Sequence, residues 1–166
     1  MASRIGRRGA SETYPTRGGV YGLGAPYARN SAFGPAATMP VTAAQEPISF
    51  SSIESGGAGT NVPITPQVSG DVLVTGTVEC SSLGDSDQLT VQVGVGGVAL
   101  PHPVTANFVP GEEGAKASVS FQTVIGLPIG TTSNINVFVN ANSNGDIQLD
   151  AFNSRLSIQE VPTATG

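Results

Sequence analysis

Residues 116–141 read KASVSFQTVIGLPIGTTSNINVFVNA, and this stretch decides the fold. From Lys116 to Val124, Ala117, Val119, Phe121 and Thr123 alternate with Ser118, Ser120 and Gln122. From Asn134 to Asn140, Ile135, Val137 and Val139 alternate with Asn134, Asn136 and Asn140, and Phe138 is the one large apolar exception. Side chains that change face at every residue mark strands with one face buried. The loop IGLPIGTTS between them supplies glycine and proline, which end both helices and strands.

The same period continues on both sides. Downstream, Asn144-Gly145 is a hairpin signal because both residues tolerate positive φ. Ile147–Leu149 follows, and Arg155–Val161 closes the chain with Leu156 and Ile158 inward. Upstream come Ile48–Ile53, a short Val62–Thr65 piece and Asp71–Cys80 with Val72, Val74 and Val78 on one face. Gln88–Val95 places Leu89, Val91, Val93 and Val95 inward, although Val93–Gly97 (VGVGG) is glycine-rich for a packed strand. Val98–Leu100 and Val104–Val109 are shorter and punctuated by prolines, which favour edges and loops. About eight strands and no helical segment make an all-β sandwich.

The final third resembles the tumour-necrosis-factor-like jelly roll in the plain form found in phage fibre, capsid-decoration and spore-surface proteins. The residues that carry the resemblance are the strand KASVSFQTV, the loop IGLPIGTTS, the strand NINVFVNA, the hairpin NSNGD and the closing strand SRLSIQEV. It implies a jelly-roll β-sandwich of about eight antiparallel strands and a homotrimer, with the closing strand near the threefold axis.

Residues 1–47 read differently. All three tyrosines (Tyr14, Tyr21, Tyr27) and five of the seven basic residues (Arg4, Arg7, Arg8, Arg17, Arg29) fall within the first 30 residues. Pro15, Pro26, Pro35, Pro40 and Pro47, with seven glycines, forbid a helix here, so an extended arm is expected, ordered on binding. Tyr14, Tyr21, Tyr27 and Phe33 recur at spacings of 7, 6 and 6. Six extended residues span roughly 20 Å. Arginine and tyrosine are the residues that anchor interfaces. The reading is therefore an attachment arm over 1–47 and a jelly-roll domain over 48–166, with Arg4, Arg7, Arg8, Tyr14, Arg17, Tyr21, Tyr27, Arg29 and Phe33 as partner-binding residues. The arm further resembles those with which virion decoration proteins clasp a capsid lattice.

Charge is split in the same way. Residues 1–45 hold the five arginines against Glu12, whereas residues 46–166 hold only Lys116 and Arg155 against eleven carboxylates. An acidic body does not hold nucleic acid by its phosphates. Charged residues are only 11% of the chain, about half the usual share, which suits a subunit packed against copies of itself or a larger assembly. The basic start lacks the apolar run of a signal, and no window approaches a membrane span.

Candidate chemistry is sparse. His102 is the only histidine and lies between two prolines; Cys80 is the only cysteine and reads as a buried thiol. One of each cannot build a His/Cys metal site. Asp85 and Asp87, and Asn142, Asn144 and Asp146, place oxygens at alternating positions, which fits either turns or calcium. The body has no Trp or Tyr to stack a sugar. Catalysis, cofactors, nucleic acid and membrane are not expected. The reading is a bacteriophage-type structural virion protein, a capsid decoration or cement protein bound to the major capsid protein or another virion protein. It would be made in the host cytoplasm and carried in the virion. The alternative is a fibre or spike tip whose loops Ser55–Asn61, Gly84–Gln88 and Pro110–Ala115 recognise a host receptor.

Overall fold

The alternation at Asp71–Cys80 becomes the longest strand among the described residues, and the rest of one sheet is built on it. A computed structural model describes residues 26–52, 58–83, 88–107, 114–142 and 147–163. Among them are fourteen strand segments and no helix. In chain order these are β1 (Arg29–Gly34), β2 (Met39–Val41), β3 (Glu46–Pro47), β4 (Phe50–Ser52), β5 (Ala58–Gly59), β6 (Val62–Ile64) and β7 (Asp71–Ser82). Then follow β8 (Gln88–Val95), β9 (Val98–Ala99), β10 (Val104–Asn107), β11 (Lys116–Gly126), β12 (Ser133–Ala141), β13 (Ile147–Leu149) and β14 (Ser154–Glu160). Eight of the fourteen are segments of two to four residues, and six-residue β1 was not among those expected.

The first sheet runs β2-β13-β7-β14-β1-β4-β5 with β11 along the other side of β7. β11 pairs with β7 over its whole length, from Lys116↔Ser81 to Gly126↔Asp71. The opposite edge of β7 is shared between β14 and β13. The second sheet runs β10-β8-β12-β3, with β6 also on β12 and β9 on β8. Every pairing is antiparallel.

Between the sheets lie Val72, Val74, Val78, Leu89, Val91, Ile135, Val137, Val139, Leu156 and Ile158, all buried as their alternation requires. Each such side chain contributes about 1.5–3 kcal/mol on burial. Phe121 reaches the core above Gly76, its register partner, where a Cβ would come within 2.4 Å of the ring. The VGVGG run has a similar account. Gly94 lies beneath the Phe138 ring, and Gly96 and Gly97, both at positive φ, form the two-residue turn between β8 and β9.

Two expectations are corrected. The first concerns residues 29–47, read as the far part of an extended arm. They form β1, β2 and β3 instead, and β1 is an interior strand held by six residues of β14 and two of β4. Its inward residues are Asn30, Ala32 and Gly34, too small or too polar to show a period in the sequence. Pairing supplies the order that local pattern does not. The second concerns Asn136 and Phe138, which point away from the inter-sheet core yet are buried. Asn136 Nδ2 donates to Thr60 O at 2.7 Å and Asn61 Oδ1 at 2.8 Å, and its Oδ1 accepts from Gly97 N at 2.8 Å. The chain around residues 60–61 therefore covers the outer face of β12.

Candidate attachment site

Of the nine residues expected to bind a partner, Tyr27, Arg29 and Phe33 are described. Arg4, Arg7, Arg8, Tyr14, Arg17 and Tyr21 lie outside the described residues. Odd-numbered residues of β1 face away from the core, so Arg29 and Phe33 stand on the outward face of the first sheet, and Tyr27 precedes the strand by two residues. Tyr27 and Phe33 are 43% and 42% exposed. Of this pair, Phe33 is thus held on a formed strand, and Tyr27 lies in the chain leading into it.

β14 adds a residue that sequence reasoning left out. Arg155 is the register partner of Phe33, and its guanidinium lies 5.8 Å from the Phe33 ring centre. A cation over an aromatic face at an exposed site contributes about 0.5–1 kcal/mol. The signal was present in the sequence, because Arg155 alternates outward from Leu156 and Ile158. Around this pair the outward face continues as Ser31, Ser157, Thr75, Thr77, Ser120 and Gln122, enclosing a shallow groove of about 460 Å³. It is a polar face of low charge. All three described basic residues, Arg29, Lys116 and Arg155, stand on it, with Lys116 bound to Asp150 at 3.1 Å.

A second, larger groove of about 950 Å³ opens where the chain enters at Pro26 and Tyr27, bordered by Pro63, Thr65, Thr132 and Gln159. Beside it the chain is fastened by Glu160, which is buried. One carboxylate oxygen accepts the backbone N–H groups of Ala28 and Gln67, both at 2.9 Å. The other accepts those of Val68 at 2.8 Å, Ser69 at 2.7 Å and Gly70 at 3.0 Å. Glu160 N–H also donates to Ala28 O at 2.7 Å. Burial by itself pushes a carboxyl pKa up. Here the N–H groups of Ala28, Gln67, Gly70 and Val68 outweigh burial and hold it down at about 2. The anion is thus compensated by backbone dipoles, and it joins the entering chain, the loop 65–70 and the closing strand.

Among the described residues, the remaining candidate chemistry is not assembled into a site. His102 is exposed at a φ of 74°. Cys80 is buried and donates to Ala117 O at 3.5 Å; burial, followed by the Asp150 charge, pushes its thiol up to about 12. Among the described residues, no group of three His, Cys, Asp or Glu side chains could hold a metal. Asp85, Asp87, Asn144 and Asp146 lie outside the described residues. Asn142 is described, and its Oδ1 accepts from Gln88 N at 2.9 Å, a long-range contact that joins the start of β8 to the end of β12.

No protein-family model matches the chain, and no curated protein sequence matches it. Solved structures do. Eiger TNF from S. frugiperda superposes with a TM-score of 0.53 at 11% identity, covering 86% of this chain and 97% of that chain. The chain has a tumour-necrosis-factor-like jelly-roll fold. Murine APRIL at pH 8.0 is also similar, with a TM-score of 0.49, 12% identity and coverage of 81% and 99%. Identity at this level carries the fold of a TNF-like jelly roll and not its activity.

Proposed function

We propose that this TNF-like jelly roll is a structural virion protein, a homotrimeric capsid decoration protein that attaches through its N-terminal segment. The observation that supports it most directly is the placing of the basic and aromatic residues. They are concentrated before residue 34 in an otherwise acidic chain, seven of the nine ahead of β1. Arginines there would pair with acidic residues of the shell, and tyrosines would fill apolar pockets. Ordering such a segment on binding costs entropy, and three segments on one trimer restore affinity through avidity.

In the family this chain resembles the closing strand lies near the threefold axis, and on this reading β14 takes that position. The outward residues of β14 are Arg155, Ser157 and Gln159, a face of low charge suited to burial between copies. On this reading Phe33 and Arg155 face neighbouring copies, and the segment before Pro26 reaches the partner.

The test is deletion of residues 1–25, which ends before the first described strand. The truncated chain should remain folded, scatter light as three times its own mass (smaller than the 16.7 kDa of the full chain), and fail to bind shells assembled from the major capsid protein. Binding that survives the deletion overturns the reading. A fibre or spike tip is the second reading, favoured by the strand ends Ser82, Gln88, Asn107, Gly114 and Asn142 gathering opposite the entering chain. Binding of the truncated chain to host cells would support it.

A further inference from the structure

The two ends of the sandwich differ in chemistry. The described chain enters at Pro26, and Ala28 is bonded twice to Glu160 at the end where β7 begins and β11 stops. Two loops close this end, residues 65–70 and 127–132. They are tied together by Leu127 N–H to Gly70 O at 2.7 Å, Gly130 N–H to Pro66 O at 2.8 Å, and a 2.7 Å contact between the Thr65 and Thr132 hydroxyls. The Gly96–Gly97 turn reaches the same end, because Gly96 N–H donates to Asn134 O.

On these segments Val68, Val98 and Ile129 stand exposed, the last two at 69% and 55%. The only described carboxylates at this end are Asp71 and the buried Glu160. The opposite end carries the strand ends Ser82, Gln88, Asn107, Gly114, Asn142 and Ile147, and the sequences joining them contain Asp85, Asp87, Glu112, Glu113 and Asp146. One end presents exposed apolar side chains, few described charges and a β4–β5 connection with the single carboxylate Glu54, and the other is joined by sequence with five carboxylates.

The geometry points to the Val68–Val98–Ile129 end as a second contact surface, seated directly on the protein surface that residues 1–25 grip. The sandwich would then stand on its arm end with the acid-rich connections turned away. This inference rests on the attachment reading above. The covering partner follows from where the chain enters: Tyr21 is five residues before Pro26, a reach of no more than about 18 Å even when fully extended, so an anchor at Tyr21 holds this end close to the shell. Val68 is also presented on a rigid loop, its own N–H and those of Gln67, Ser69 and Gly70 being held by Glu160. An apolar side chain fixed in an exposed place loses little further freedom on docking. An acidic end facing the shell would instead repel any acidic surface chosen to match the arm's arginines.

The experiment compares the full chain, a Val68→Glu/Ile129→Glu variant and a Leu83→Glu variant for binding to shells of the major capsid protein, with light scattering on each. Leu83 is an exposed apolar residue at the opposite end. The double variant should keep its fold and oligomeric mass and bind about tenfold or more weakly, with Leu83→Glu unchanged. Equal binding by the double variant, or a loss confined to Leu83→Glu, overturns the inference and leaves the attachment reading intact. A change of mass in the double variant shows a contact between copies and overturns it too. Failure of the full chain to bind shells at all is the separate failure of the attachment reading.

Discussion

Glu160 and Ala28 stand 132 residues apart in the chain, yet the Ala28 N–H donates to the Glu160 carboxylate at 2.9 Å and the Glu160 N–H donates back to Ala28 O at 2.7 Å. That reciprocal pair marks where the N-terminal segment joins the sandwich. It also makes one buried carboxylate answerable for the order of three chain segments.

Glu160→Gln should therefore destabilise the protein by about 2–4 kcal/mol, because an amide accepts with one oxygen and sets its NH₂ against backbone donors. Urea unfolding monitored by circular dichroism checks this. Hydrogen exchange should rise first at residues 28–31 and 66–70. Equal stability of the variant would show that the five N–H groups are satisfied without the charge.

The pH dependence has a definite sign. The folded pKa of Glu160, about 2, lies below the usual 4.5, so its stabilisation is fully present above about pH 5. As pH falls through 4.5 towards 2 it is lost, an effect on the order of 3 kcal/mol. Wild type and Glu160→Gln should thus differ most at neutral pH and converge only as pH falls through about 2. A gap that stays constant on acidification contradicts the assignment.

Gly76→Ala should cost about 1–3 kcal/mol through overpacking. The new methyl would meet the Phe121 ring at 2.4 Å and Arg155 O at 2.6 Å. Adding Phe121→Leu should recover part of the loss by removing the ring, while the backbone contact remains. Thermal melting of the two variants measures both effects.

Cys80 should resist thiol reagents at pH 8 in the native protein and react promptly in denaturant, since its thiol is buried and its pKa is pushed up to about 12. Rapid native labelling would show that the β7–β11 pairing opens locally.

Truncation separates the two boundaries. Deleting residues 1–25 should leave a cooperative unfolding transition, whereas deleting residues 1–40 removes β1 from between β14 and β4 and should abolish it. A folded product from the longer deletion would return residues 29–40 to the arm.

How far the sequence could be read depends on the range of the interactions involved. The alternations at 72–78, 89–93, 119–121 and 156–158 appear as inward positions in the sandwich, their large apolar side chains buried. Such periods are written by the pleat of the strand itself and need no knowledge of the partner strand. β1 is different: Asn30, Ala32 and Gly34 carry no apolar period, and their place is set by β14 and β4. Glu160 even continues the inward parity of Leu156 and Ile158, so its burial was legible, but its compensation was not, because the donors lie on residues 28 and 67–70.

The sequence by itself determined the all-β class, the inward faces of the long strands and the division between a basic, aromatic beginning and an acidic body. Each of these depends only on residue identity and on spacing along the chain. Tertiary structure decided that the segment from residue 29 belongs to the sheet, that Phe138 covers Gly94 and Asn136 is enclosed, and that Phe33 meets Arg155. Those outcomes turn on which distant backbones supply the missing hydrogen bonds and contacts, and hydrogen-bond donors and acceptors are chemically the same at almost every residue.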